Sequence, residues 1–313
     1  MLEVKNLTKY YKNIKAVDDI SFSVERGEIV GFLGPNGAGK TTTMRILTCF
    51  ISASRGTAKV AGFDVLDDSI EVRKRIGYLP ENPPLYKDMI VTSFLEFVGK
   101  LKGVDRDKIN SRIGYVLERC GIEDVKNRLI GNLSKGYRQR VGIAQALIHD
   151  PEVLILDEPT IGLDPKQITE IRHLIKELGG ERTIILSTHI LPEVTMTCQR
   201  VVIINEGKIV AIDSYERLSA NLRKSEKTFI KLSKIDENLL NKLEKIDGLT
   251  HIEKDYSSEN SLIIESQLGV DIREELSRVC VFNNYGLLEM KPVSISLEDI
   301  FLKLTTEEER IIF

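Results

Sequence analysis

The chain has 313 residues, 29% of them charged, with a formal net charge of −3. That length suits about two domains with buried cores, and the balanced charge excludes a global basic field for holding nucleic acid. Four cysteines, Cys49, Cys120, Cys198 and Cys280, stand far apart without a C-x-x-C pair, which argues against a structural zinc or a disulfide framework and suits a reducing cytoplasm. The opening stretch "MLEVKNLTKYYKNIKAV" is charged from its third residue and has no apolar h-region, so it does not read as a signal peptide. The longest run free of acidic and basic residues, Ile29 to Gly39, is far short of the ~18 apolar residues that a spanning helix needs. The chain is therefore expected not to cross a membrane.

In chain order, "LEVKNL", "ISFSV" and "EIVGFL" alternate as strands, and a helix is predicted from about Gly39 to Phe50. "GTAKVAGFDV" reads as a short hairpin, "SIEVRKRI" as a helix and "GYLPENPPLY" as a proline-broken loop. From Thr92 to about Arg128 apolar residues recur three and four apart, which predicts a helical insert, placed at about 85–150. Strand and helix then alternate: "VLILDEP", "PKQITEIRHLIKEL", "RTIILSTH" and the hairpin "RVVIINEGKIVAID". Buried strands alternating with helices imply an α/β fold with a mostly parallel sheet covered on both faces. Beyond "YERLSANLRKSE" the order becomes β-α-β-β-α-β, that of a ferredoxin-like unit, and a short helix, "SLEDIFLKLT", closes the chain. The expected domains are 1–220 and a small C-terminal α+β domain, 221–313.

The chemistry concentrates in three stretches. "FLGPNGAGKTTTMRIL" fits G-x-x-x-x-G-K-[ST] with Gly34, Gly39, Lys40 and Thr41, between a buried strand and a helix. Glycines let the backbone wrap a polyphosphate, and the positive end of the following helix adds attraction. Lys40 would reach the β- and γ-phosphates and Thr41 would ligate Mg²⁺. "VLILDEPT" ends a buried strand in Asp157 and Glu158; one acid suits Mg²⁺ and the other can polarise the attacking water. "NLSKGYRQRVGIAQALIHDP" puts Ser134 at a helix N-terminus with Gly136 close behind. Read locally, this is an anion site or merely a capped amphipathic helix.

Together these stretches resemble the nucleotide-binding subunits of ABC transporters, over about Leu2 to residue 220. The resemblance rests on "GPNGAGKTT", the signature "LSKGYRQR", "LILDEP", "IGLDP" and "STHIL". It implies a P-loop NTPase core with an antiparallel β subdomain, and an ATP-binding loop of Gly34, Pro35, Asn36, Gly37, Ala38, Gly39, Lys40, Thr41 and Thr42. It further implies Tyr11 stacked on adenine, with Tyr10 as a rival, Glu158 as general base, His189 on the γ-phosphate, and Asp157 on Mg²⁺. Ser134 and Gly136 would contact the ATP held by a second copy of the chain, with Asp164 at the dimer seam. Glu81, Ile161 and Lys135 stand where the family usually has glutamine, serine and a second glycine; Glu81 would still approach Mg²⁺. Glutamate in that position and the tail "SISLEDIFLKLT" are similar to a subset serving exporters with separate permeases.

The resemblance implies an ATPase, peripheral on the cytoplasmic face, that drives a separate permease in the direction of export. The rival class is a soluble ABC-type ATPase acting on the ribosome or DNA. Ribosomal members usually carry two ATPase halves and DNA-repair members long coiled coils, whereas this chain has one set of motifs and only about 95 residues between phosphate loop and signature.

Overall fold

The computed structural model describes residues 1–222, 225–255, 258–293 and 299–301. Their contacts group into two compact units, one from Met1 to Tyr215 and one beginning at Glu216.

The first unit opens with the antiparallel pair β1 (Leu2–Tyr11) and β2 (Ile14–Val24). Next come β3 (Ile29–Leu33), α1 (Lys40–Leu47), β4 (Arg55–Val60), β5 (Phe63–Asp64), α2 (Ser69–Arg75) and β6 (Ile76–Leu79). Helices α3 (Val91–Leu101), α4 (Ile109–Arg119) and α5 (Lys135–Leu147) form the helical region. The chain continues through β7 (Val153–Asp157), α6 (Pro165–Leu178), β8 (Thr183–Thr188), α7 (Leu191–Thr197), β9 (Arg200–Asn205) and β10 (Lys208–Asp213).

Two sheets result. The antiparallel sheet runs β2-β1-β4-β5, and the six-stranded sheet runs β10-β9-β3-β8-β7-β6. Within the latter only the β9–β10 hairpin is antiparallel. Along β7 the pleat sends Leu154 and Leu156 to the core shared with the helical region, and Val153 and Ile155 to the core shared with the antiparallel sheet. Both faces are covered, so the strands read as unbroken apolar runs. The phosphate loop and His189 follow the carboxyl ends of parallel strands and Asp157 closes one, which is where open α/β sheets place ligands.

Three local expectations need correction. The start of the proline-rich segment is strand β6: Ile76 and Leu79 are buried, and the strand pairs in parallel with β7. Helix α1 stops at Leu47, not Phe50. Cys49 turns left-handed at φ 58°, and the N–H groups of Phe50 and Cys49 close on the carbonyls of Arg45 and Ile46 as a Schellman stop. The helical pattern from Thr92 is interrupted after Leu101 and after Arg119, with left-handed glycines at Gly103 and Gly121.

Helix α8 spans Tyr215–Leu222. The second unit contains β11 (Glu226–Leu232), α9 (Glu237–Leu243), β12 (Leu249–Asp255), β13 (Ser261–Ser266), α10 (Arg273–Phe282) and β14 (Leu287–Val293), with sheet order β12-β13-β11-β14. It has its own core of Ile230, Leu232, Leu239, Leu243, Leu262, Ile264 and Leu276. Most of the expected closing helix lies outside the described residues; 299–301 are helical.

Candidate functional site

Strand β3 is buried along its whole length and delivers the chain to Gly34, whose N–H bonds the Thr188 carbonyl at 3.4 Å. A side chain at Gly34 would run into the Ile204 carbonyl. At Gly39 the backbone sits at φ 107°, and a Cβ there would lie 2.5 Å from the Ala16 carbonyl oxygen. Gly39 is also the N-cap of α1 and offers no side chain to it. The first N–H groups of a helix have no partner within it, so here they remain available to an anion. They border an open cavity of about 340 Å³ lined by Ala16, Asn36, Gly37, Gly39, Lys40, Thr41, Thr42, Glu81, Glu158 and Ile161. A similar cavity, about 360 Å³, lies between the end of α1 and the β4–α2 segment and contains none of the motif residues.

Lys40 is only 5% exposed. Its Nζ donates to the carbonyls of Gly34 at 2.8 Å and Pro35 at 3.2 Å and lies 3.4 Å from Glu158 Oε1. The other Glu158 oxygen is 2.9 Å from His189 Nδ1. Lysine, glutamate and histidine therefore form one polar chain at the ends of β3, β7 and β8. Glu158 itself stands at φ 50°, a left-handed turn that is costly for a residue with a Cβ. Its N–H bonds the Ser187 carbonyl at 3.0 Å.

Asp157 is fully buried. Its Oδ1 accepts the hydroxyl of Ser187 and, at 3.3 Å, that of Thr41, while Oδ2 is buried without a hydrogen-bond partner. Burial pushes the carboxyl above its ordinary range; the two hydroxyls oppose this, and the charges of Glu158 and Glu81 add to it. A buried, half-satisfied carboxylate beside a threonine hydroxyl fits a cation. Among the described residues no cluster of three or more acidic, His or Cys side chains could hold a metal ion. That is compatible with Mg²⁺, which takes one or two protein oxygens and completes its shell with phosphates and water.

Other predicted site residues stand apart from the cavity lining. Ser134 caps α5, its Oγ accepting the Tyr137 N–H at 3.3 Å, and Asp164 caps α6 by accepting the Gln167 N–H at 2.9 Å. These two helix starts touch: Gln167 packs on Gly136, where a Cβ would lie 2.5 Å from its side-chain carbon, and Lys135 covers Gly162. Arg140 and Glu170 pair at 2.5 Å farther along the same two helices. Tyr11 is 42% exposed at the end of β1, with Lys9 Nζ 5.4 Å from its ring centre. It does not line the cavity, whereas Ala16 of β2 does. Ala38 is buried beneath the loop. Sequence reasoning missed Ser187, the hydroxyl against Asp157; its only signal is a polar residue closing the apolar run "TIIL".

The ABC transporter family model matches residues 17–161. YhcH of Bacillus subtilis (strain 168), an uncharacterized ABC transporter ATP-binding protein, is 36% identical over 98% of this chain and 96% of its own. This chain belongs to the ABC transporter ATP-binding proteins. Another relative, the bacitracin transport ATP-binding protein BcrA of Bacillus licheniformis, is 36% identical over 97% of both chains. Among solved structures, the dimeric post-hydrolysis state of the ATP-binding cassette MJ0796, bound to ADP and Pi, superposes with a TM-score of 0.63 at 27% identity, covering 68% of this chain and 98% of that one. As a member of the ABC ATP-binding proteins the chain is an ATPase, and the dimeric structures of the MJ0796 cassette support dimerisation. Among the described residues no helix is long and apolar enough to cross a membrane.

Proposed function

We propose that two copies of this chain close around ATP and that hydrolysis drives a separate membrane permease in the direction of export, with the ATPase held peripherally on the cytoplasmic face. The observation that carries the reading is a division of labour. Lys40, Thr41 and Glu158 line one cavity, with Asp157 and His189 hydrogen-bonded behind them, whereas Ser134 and Gly136 lie outside its lining. A signature that cannot serve its own cavity is suited to the γ-phosphate held by a second copy.

Within one cavity, the glycine-rich backbone and Lys40 bind the phosphates. Mg²⁺ would be held by Thr41 and Asp157, with Glu81 at the cavity wall, and when bound it neutralises charge developing on the phosphates. Glu158 accepts a proton from the attacking water as the water oxygen bonds the γ-phosphorus and the bond to the ADP oxygen breaks. His189, on the opposite oxygen of Glu158, orients that carboxylate. Similarity to a bacitracin transport subunit along both units supports transport, and the second unit is proposed as an accessory domain.

Glu158→Gln should retain ATP binding and lower turnover by roughly 10²–10⁴-fold, the usual worth of a general base. Size-exclusion chromatography with ATP should then show a stable dimer. A variant that stays monomeric and turns over normally would sink the reading. For the permease, a pull-down from detergent-solubilised membranes should recover a protein with several spans; recovery of ribosomes or DNA instead would favour the rival class.

A further inference from the structure

Helix α7 carries a buried acid, Glu193, that none of the sequence motifs includes. Glu193 is 1% exposed, and its carboxylate faces two hydroxyls, one in the turn after β7 and one on the last residue of β8. Oε1 accepts from Thr160 Oγ1, and Oε2 accepts from Thr188 Oγ1 at 2.7 Å. Thr160 lies two residues beyond Glu158, and Thr188 directly precedes His189. Both threonines are buried, at 2% and 0% exposure. The Thr188 hydroxyl also accepts the Ile190 N–H at 3.0 Å, which ties the start of α7 to the end of β8.

We propose that Glu193 is a positioning residue for hydrolysis, clamping the turn that bears Glu158 to the turn that bears His189 so that these two side chains stay in contact. The inference rests on the assignment of Glu158 and His189 above and adds a residue to it. Burying a carboxylate is costly, and among the described residues no cation pairs with Glu193, so its two charge-assisted hydrogen bonds must offset that cost. The left-handed backbone of Glu158, for its part, holds its place only if surrounding contacts restrain it. On the β8 side that restraint is the Glu158 N–H bond to Ser187; on the other it is Thr160, held by Glu193.

Glu193→Gln keeps the shape but reverses one of the two bonds: an amide oxygen still accepts from one hydroxyl, while the amide NH₂ requires the other to act as acceptor. Whichever hydroxyl faces the NH₂ loses the acceptor for its own proton and is left with an unsatisfied donor in a buried site. The expected result is a kcat lowered about 10-fold in Glu193→Gln and about 100-fold in Glu193→Ala, the scale of a misplaced catalytic group. ATP affinity, measured by calorimetry on the full chain, should stay within about twofold, because the phosphate loop is untouched. In the Glu158→Gln background Glu193→Gln should slow turnover no further, since groups acting as a unit are non-additive. Unchanged kcat in a folded Glu193→Gln, a parallel loss of affinity and kcat, or a fully additive double variant would each overturn the proposal. Should Glu158→Gln alone turn over normally, the base assignment fails by itself, and the kcat and affinity of Glu193→Gln still read the clamp. The Gln variant keeps the test decisive even if Glu193→Ala does not fold.

Discussion

Two helices in the first unit begin at motifs proposed for the same ligand, yet they begin in opposite ways. Helix α1 starts from Gly39, which supplies no side-chain cap, and its first residue, Lys40, is buried against carbonyls and Glu158. Helix α5 starts from an exposed Ser134 that uses its own hydroxyl on the Tyr137 N–H, with Lys135 folded over Gly162. The first start is walled inside one fold; the second is finished at a surface and braced against α6. An uncapped helix start within a cavity needs an anion from outside, whereas a capped one at the surface can meet an anion presented by another molecule. The contrast explains why a single chain holds only part of the proposed site.

The walled helix start depends most on Lys40. Lys40→Ala should lower ATP affinity and turnover by about 100-fold or more, since a charge-assisted phosphate contact in a buried site is lost. Calorimetry on the variant checks it, and binding within twofold of the parent would mean that the walled helix start is not the primary phosphate site. Gly136→Ala should act differently. Its Cβ would lie 2.5 Å from the Gln167 side chain, displacing the brace between α5 and α6. Turnover should drop roughly 10-fold, the cost of a small misplacement, while ATP binding at concentrations too low for dimerisation stays unchanged. An equal loss of monomer binding would erase the distinction between the two starts.

The smallest effect is expected at the other end of α5. His149 Nε2 lies 3.0 Å from the Ile76 carbonyl while Nδ1 is buried without a partner. Burial, with the Lys102 charge adding, pushes its pKa down to about 4 from 6.5. The unfolded chain therefore binds the proton more readily between those values, so stability is full above about 6.5 and is lost as pH falls toward 4. Between pH 7 and pH 5 the loss should be on the order of 1–2 kcal/mol. Urea unfolding of the parent and of His149→Gln at the two pH values checks this, since the variant should lose that share of the slope. Equal slopes would remove His149 as the cause, and in neither case should nucleotide binding at pH 7 respond.

Much of this was readable from the chain itself, and for one physical reason: the information was contiguous. A phosphate loop must follow a buried strand and open a helix, so "GPNGAGKTT" names its own context, and "VLILDEP" shows both the buried strand and the acids at its end. The β-α-β-β-α-β succession after residue 220 was legible because each element carries its own apolar period. What only the tertiary structure decided depends on residues far apart in sequence. Strand β6 is four residues long and precedes a proline-rich turn; it becomes a strand because β7, about 75 residues later, pairs with it and buries Ile76 and Leu79. Asp157 meets Thr41 across 116 residues and Ser187 across 30, and Glu193 meets Thr160 across 33. Nothing near Glu193 in the sequence separates it from a solvated acid in the first turn of a helix. Its burial, and hence its partners, arises only where α7 packs against β3, β8 and α6 and meets Thr160 beyond β7, because a side chain's environment is set by the elements around it and not by its own segment.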